Sequence, residues 1–155
     1  MKRVLFVCHG NICRSPMAEF IARNLAQKAG LSDVEFDSKA TTRDEINASG
    51  IGHDMDRRAK SKLDEKGIPY TYHEASQVTR EDYQKYDYLF CMDEENFLDL
   101  NRITGGDPDG KEKKILTLLG SHKDIDDPWF TGDFETSYRQ IKQACEVLIE
   151  NLKNE

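Results

Sequence analysis

The chain is poor in cysteine, proline and positive charge and has no long apolar run, and each shortage excludes a class of protein. Four cysteines in 155 residues, Cys8, Cys13, Cys91 and Cys145, are too sparse for a disulfide-stapled secreted scaffold. They stand at no metal-ligand spacing and beside no histidine cluster, so neither a metal nor another cofactor is expected. No window is long enough to cross a membrane. The apolar stretch behind Met1-Lys2-Arg3 breaks at Cys8-His9-Gly10, too short for a signal-peptide core, and lacks a small-residue cleavage site. A reducing cytoplasm is the expected location. Against 29 Asp and Glu the chain sets only 22 Lys and Arg, a net charge of −7, which argues against a nucleic-acid or membrane-surface footprint. Any anion must therefore be bound locally. With no repeat, linker or low-complexity tract, residues 1–155 fit one domain with a core of its own.

What is present is concentrated near the N-terminus. Five residues separate Cys8 from Arg14 in Cys8-His9-Gly10-Asn11-Ile12-Cys13-Arg14, directly after the apolar run Val4-Leu5-Phe6-Val7 and before Ser15-Pro16. A strand passing through a glycine-containing turn into a helix leaves several backbone N–H groups facing one concavity, where an anion also meets the positive end of the helix dipole. Arg14 adds a permanently charged planar fork. A cysteine at the base of such a cradle is placed to attack a bound phosphoryl group as thiolate.

Along the chain, strand-like and helix-like segments alternate. Strands are expected at residues 2–8, 34–38 and 87–92, with a short one at 70–74. Helices are expected at 16–30, with Met17, Phe20, Ile21, Leu25 and Ala29 on the inner face, at 56–66, from Asp93 onward, and at 133–152. In the last of these Phe134, Tyr138, Ile141, Cys145, Leu148 and Leu152 recur at helical spacing and mark a core-covering face. Residues 41–55 and 105–110 read as loops, and Thr79-Arg80-Glu81-Asp82 as a capped turn. Such alternation predicts an α/β fold whose parallel sheet carries helices on both faces, with ligands bound beyond the carboxyl ends of the strands, where the Cys8 loop falls.

The run from Val7 to Pro16 resembles the signature of the low-molecular-weight protein tyrosine phosphatases, and Asp127-Pro128 resembles that family's general-acid motif. The similarity extends through Asp37-Ser38, His73, Gln77-Val78-Thr79-Arg80-Glu81-Asp82, the strand ending at Met92 with Asp93, and Phe134-Glu135-Thr136. The resemblance implies a three-layer sandwich around a central four-stranded parallel sheet, with the phosphate-binding loop after the first strand. It further implies hydrolysis of phosphotyrosine or other aryl phosphate monoesters through a phosphocysteine, without a cofactor. The implied partners are phosphotyrosine-containing proteins or small aryl phosphates, with no nucleic acid and no membrane, and the implied state is a monomer or weak homodimer.

Within that resemblance, Cys8 is the nucleophile, and the amides of His9, Gly10, Asn11, Ile12, Cys13 and Arg14, with the Arg14 fork, hold the phosphoryl oxygens. Ser15 is expected to donate to the Cys8 sulfur and also to cap the helix, with Pro16 at its first position. Asp127 is the expected acid. Asp126 remains open on residue type alone, because Asp before Pro is also turn chemistry, and the family spacing favours Asp127. Asn11 suits a left-handed turn, and the resemblance ties it to Ser38 and His73. Cys13 reads both as a redox guard able to form a disulfide with Cys8 and as a small side chain packed beneath the loop. Cys91 and Cys145 read as inert core residues.

Trp129-Phe130 stands where the family usually carries two tyrosines, and Arg43-Asp44-Glu45 replaces an aromatic often found on the opposite wall, either as a specificity element or as a solvated loop. Arginine phosphatases share the fold but resemble Gly-Asn-Thr-Cys-Arg where this chain has Gly10-Asn11-Ile12-Cys13-Arg14. Thioredoxin-coupled arsenate reductases need further neighbouring cysteines, whereas Cys91 stands alone. A phosphate-sensing module without turnover would not need Cys8, Arg14 and Asp127 together.

Overall fold

The computed structural model describes residues 1–155. Lys2–Cys8 forms β1, whose central residues are apolar on both faces because both faces are covered. Val4, Phe6 and Cys8 point into one core, and Leu5 and Val7 into a second on the other side of the sheet. In the first core Phe6 stacks between Phe36 of β2 (Val34–Ala40) and Phe90 of β3 (Tyr88–Cys91), both at 6.2 Å between ring centroids. The strand order is β2-β1-β3-β4, where β4 is Glu112–Lys114, and every pairing is parallel. The sheet is therefore the expected four-stranded parallel one.

The helix α1 (Arg14–Lys28) leaves β1 on the first face and packs against the sheet and against α6 (Phe134–Lys153). Because it is enclosed on more than one side, Ala18, Ala22 and Ala26 are buried along with Met17, Phe20 and Ile21. Ala29, expected on the inner face, is exposed, since the helix has ended at Lys28. The six expected core residues of α6 are all buried, and its cap, Asp133, accepts the Thr136 amide at 3.0 Å. On the opposite face α4 (Glu94–Thr104) starts from a reciprocal cap between Asp93 and Asn96 and contributes Leu100 to the second core. The loop after β1 thus leads to one face and the loop after β3 to the other, which opens a crevice at the carboxyl ends of the two central strands. The 56–66 helix is α2 (Arg57–Glu65), capped by Asp56, and the capped turn at Thr79 leads into the short α3 (Asp82–Lys85).

One expected strand is absent. Residues 70–74 form no strand, and Tyr72 is mostly exposed. This stretch leads to the sheet edge only at Ala40, which donates its amide to Ser76 O at 2.7 Å and accepts from Val78 N at 2.8 Å. The fourth strand is instead the charged Glu112-Lys113-Lys114. There Glu112 is buried and accepts from the Thr104 hydroxyl, and Lys114 reaches the carbonyl of His122 at 2.6 Å and Asp124 at 2.7 Å. Partners for Lys114 and for one Glu112 oxygen offset the burial of charge, while Glu112 Oε1 is buried without a hydrogen-bond partner.

Candidate active site

Between the last residue of β1 and the first of α1, the chain turns through Asn11, which sits at φ +61°. Asparagine tolerates that left-handed angle, and its fully buried amide holds the turn on both sides. Its Nδ2 donates to Ser15 Oγ at 2.8 Å and to Ser38 Oγ at 3.0 Å. Its Oδ1 accepts from the Ser76 amide at 3.2 Å and from His73 Nε2 at 3.1 Å, and His73 Nε2 lies 2.9 Å from the Asn11 carbonyl. Both partners of this nitrogen are acceptors, so Nε2 carries the proton. Ser38 and His73 therefore meet the loop at the residue expected to join them. Beneath the turn the Cys8 sulfur lies 3.0 Å from Ser15 Oγ and accepts the Asn11 amide at 3.3 Å.

The N-cap expectation for Ser15 is corrected by this geometry. Helix α1 already begins at Arg14 with Cys13 as its cap residue, so Ser15 lies inside the first turn and Pro16 is its third residue, not its first. The hydroxyl is committed to Cys8 and Asn11 rather than to a backbone amide.

Arg14 is only 2 % exposed. Its Nη1 donates to Asp93 Oδ2 at 2.8 Å and to the Ile125 carbonyl at 2.7 Å, while Nη2 faces Asp127 Oδ2 at 3.5 Å. Burial works against its charge, but the neighbouring Cys8 sulfur, Asp93 and Asp127 more than offset that and hold the guanidinium's pKa above its ordinary value. Asp127 caps the one-turn helix α5 (Pro128–Thr131), accepting the Trp129 amide at 3.0 Å through Oδ1, which leaves Oδ2 turned toward Arg14. Asp126 is exposed and lines no part of the cavity, whereas Asp127 does.

That cavity holds about 210 Å³. Its floor is the loop from Cys8 to Arg14, including Cys13 and Ile12, and one wall is Asp127 with Trp129 and Phe130. The two rings meet edge to face at 4.9 Å and are 50 % and 78 % exposed, an apolar surface left open to an arriving group. Asp44 and Glu45 form the other wall. His9 on the rim reaches Asp44 at 2.5 Å and Glu95 at 3.6 Å, and Glu45 pairs with His53 at 2.7 Å. A larger cleft of about 670 Å³ lies elsewhere, between α1 and β2, and no cysteine lines it.

Burial pushes the Cys13 thiol far up, with Asp56, Cys8 and Asp127 adding to the shift, so it stays protonated near neutrality. Cys91 and Cys145 are buried, with thiol pKa values also raised by burial, as expected of core residues. All four cysteines are free thiols. Sequence reasoning missed three parts of the site: Asp93 as the anchor of Arg14, the Ile125 carbonyl beside it, and Glu19, which accepts from Ser38 Oγ at 2.7 Å. A signal for the last was available in the Glu19–Arg23 pair, spaced four apart on the helix.

A family model described as low molecular weight phosphotyrosine protein phosphatase matches residues 3–155. A human protein of that name is 41 % identical over 157 aligned residues, which cover 96 % of this chain and 94 % of the relative. The Bacillus subtilis low molecular weight protein-tyrosine-phosphatase YfkJ is 37 % identical, covering 100 % of this chain and 98 % of its own. The crystal structure of YfkJ superposes with a TM-score of 0.89 over 99 % of this chain and 96 % of that one, at 36 % identity. That of a Drosophila arginine phosphatase gives 0.86 over 99 % and 98 %, at 31 % identity.

Proposed function

This chain belongs to the low molecular weight phosphotyrosine protein phosphatase family, and from that premise we propose that Cys8, Arg14 and Asp127 carry out a two-step hydrolysis of aryl phosphate monoesters. The observation that supports this assignment is the convergence of a sulfur, a buried guanidinium and a carboxyl on one small cavity. In the first step the Cys8 thiolate attacks phosphorus in line, so the S–P bond forms as the P–O bond to the aryl group breaks, and Asp127 gives its proton to the departing oxygen. In the second, the Asp127 carboxylate takes a proton from water, the water oxygen bonds to phosphorus and the S–P bond breaks, which returns thiolate and inorganic phosphate. A carboxylic acid in that role contributes about two to four orders of magnitude in rate.

Arg14 Nη1 is occupied by Asp93 and Ile125, so the Nε and Nη2 edge of the fork is the one that binds two phosphoryl oxygens, together with the amides of His9, Gly10, Asn11, Ile12 and Cys13. Ser15 donates to the sulfur and favours thiolate both as attacker and as leaving group. Trp129 and Phe130 offer the ring of a phosphotyrosine an aromatic wall. Cys13 guards Cys8: peroxide oxidises the Cys8 thiolate to a sulfenic acid, and condensation with the Cys13 thiol forms a disulfide and releases water. The partners on this reading are phosphotyrosine-containing proteins or small aryl phosphates, and the working state is a monomer or weak homodimer in a reducing cytoplasm.

Turnover of phosphotyrosine, phosphoserine and phosphoarginine peptides, compared in the presence of chelator, tests the reading. Preference for phosphotyrosine is expected, and preference for phosphoarginine overturns the substrate assignment. Cys8→Ser should abolish turnover yet retain phosphate. Asp127→Asn should slow poor leaving groups far more than good ones, and the same signature from Asp126→Asn instead would refute the acid assignment.

A further inference from the structure

Between β4 and α4, away from the catalytic cavity, one carboxyl is buried with a partner for only one of its oxygens. Glu112, the first residue of β4, is 4 % exposed. Its Oε2 meets the Thr104 hydroxyl at the end of α4, and its Oε1 has no hydrogen-bond partner. No cation compensates it. Lys113 beside it in the strand is exposed, Lys111 donates to the Tyr83 carbonyl at 2.7 Å, and Lys114 is taken up by the His122 carbonyl and Asp124. Facing Glu112 are Asp107 from the 105–110 loop, a charge of the same sign, and Cys91 from β3.

An ionised carboxylate spreads its charge over both oxygens, and leaving one of them dry and uncompensated is costly. The neutral acid is better served there. A hydroxyl pairs with a carboxyl in either state: Thr104 gives its hydrogen to a carboxylate, or takes the acid's hydrogen and turns its own to the Leu100 carbonyl at 3.1 Å. Only the second arrangement uses both contacts of Thr104 and leaves a single uncharged oxygen unpaired. We propose that Glu112 is a pH-sensitive latch between β4 and α4, which keeps its proton in the folded protein and loosens the seam when that proton passes to water. Burial, the largest influence, and Asp107 raise its pKa, and the Thr104 bond offsets them only in part. Two residues on, Lys114 ties the same strand to His122 and Asp124, so the seam adjoins the segment that leads to Asp127.

Three measurements on the full chain test the latch, using wild type and Glu112→Gln, whose amide has the shape of the neutral acid. Glu112→Met, also uncharged and of similar volume, is made alongside and should behave alike. Carbon-13 spectra of protein labelled at the glutamate carboxyls, with the Glu112 resonance assigned by its loss in either variant, report the proton directly. Its midpoint is expected above the ordinary 4.5, and a midpoint at or below 4.5 overturns the proposal.

Stability gives the second measurement. Because the folded-state value is raised, the contribution of Glu112 is whole below 4.5 and is lost as pH rises through the folded value. Relative to Glu112→Gln, the ratio of folded to unfolded wild type should fall by up to roughly tenfold per pH unit above 4.5 and level off once the carboxyl ionises. Thermal unfolding shows this as a Tm gap in favour of the variant that widens by about 3–5 °C per unit. A gap that stays constant from about pH 4.5 to 8, or that grows in favour of wild type, overturns the proposal. Trypsin gives the third, because cleavage after Lys113 requires β4 to open. At about pH 8 the folded wild type should be cut there several-fold faster than Glu112→Gln, and equal rates would leave the carboxyl without a hold on the strand and overturn the latch.

Discussion

Replacing Asn11 by glycine and by alanine separates what its backbone angle contributes from what its side chain contributes. At φ +61° an alanine is strained and a glycine is not, a difference of about 1 kcal/mol in favour of glycine. Both variants lose the same four side-chain hydrogen bonds, to Ser15, Ser38, His73 and Ser76. At about 0.5–1.5 kcal/mol each, these amount to about 2–6 kcal/mol, with the low end applying where water enters and replaces partners. Against a domain stability of about 5–15 kcal/mol, either loss is large. Asn11→Gly is therefore expected to lower the urea midpoint strongly, and Asn11→Ala to lower it by about 1 kcal/mol more at an unchanged m-value. Activity should behave differently from stability. Both variants free the Ser15 hydroxyl from the same donor, so kcat/KM falls to a similar level in each. A glycine variant within about 0.5 kcal/mol of wild type would refute the reasoning, since the left-handed angle alone would then account for asparagine at this position.

Three further outcomes follow from separate parts of the molecule. A Cβ on Gly52 would lie 1.8 Å from the Ala75 carbonyl oxygen, so Gly52→Ala must displace the 41–55 loop that carries Asp44 and Glu45. It is expected to cost about 1–3 kcal/mol or more in thermal unfolding and to raise KM for peptide substrates, and an unchanged Tm would contradict the contact. Glu135 links α2 to α6 through Lys62 and Lys66, with a further pair to Arg139, and hydrogen bonds from these side chains, Lys62 first, hold its carboxyl at about 2. That contribution is present above the ordinary carboxylate value of 4.5 and is lost as pH falls toward 2, so the Tm gap between wild type and Glu135→Gln should close over that interval and not between pH 6 and 8. Mild peroxide should inactivate the wild type reversibly, with thiol restoring activity, and Cys13→Ser should recover poorly; equal recovery would remove the guard role from Cys13.

The parts of the site legible in the sequence are those that lie close together along the chain. Cys8, Asn11, Arg14 and Ser15 occupy consecutive turns of one loop, where a strand end, a residue tolerant of positive φ and a helix start already define a cradle. Helix α6 was legible for a similar reason, because six apolar side chains repeat at the helical period behind an aspartate cap. The absent strand at 70–74 and the unanticipated β4 have the opposite cause. Residues 70–74 have strand-like composition but no neighbouring backbone to pair with, and β4 has charged composition but lies beside β3 with partners at Thr104, His122 and Asp124 for its polar ends. Pairing partners at long range decide a three-residue edge strand, and composition does not reveal them.

The same distinction separates the chemistry of the site from its selectivity. Arg14 needs its guanidinium aligned by Asp93 and Ile125, which lie 79 and 111 residues away, yet its role follows from its place in the loop because any stable version of the cradle must anchor it somewhere. Asp44 and Glu45 differ in kind. Their residue types fit a solvated loop equally well, and their seat as a wall comes from contacts between irregular segments: Gly52 close against Ala75, His53 donating its amide to Glu45 O at 2.8 Å and accepting from Ala75 N at 2.9 Å, and His9 pairing with Asp44 at 2.5 Å. A contact between two irregular segments carries no periodicity and no motif. The acidic wall opposite Trp129 and Phe130 thus depends on packing at Gly52 and on its bonds to the Cys8 loop, from the Thr42 hydroxyl to the His9 carbonyl and between Asp44 and the His9 ring, so a change in the loop reaches the wall as well.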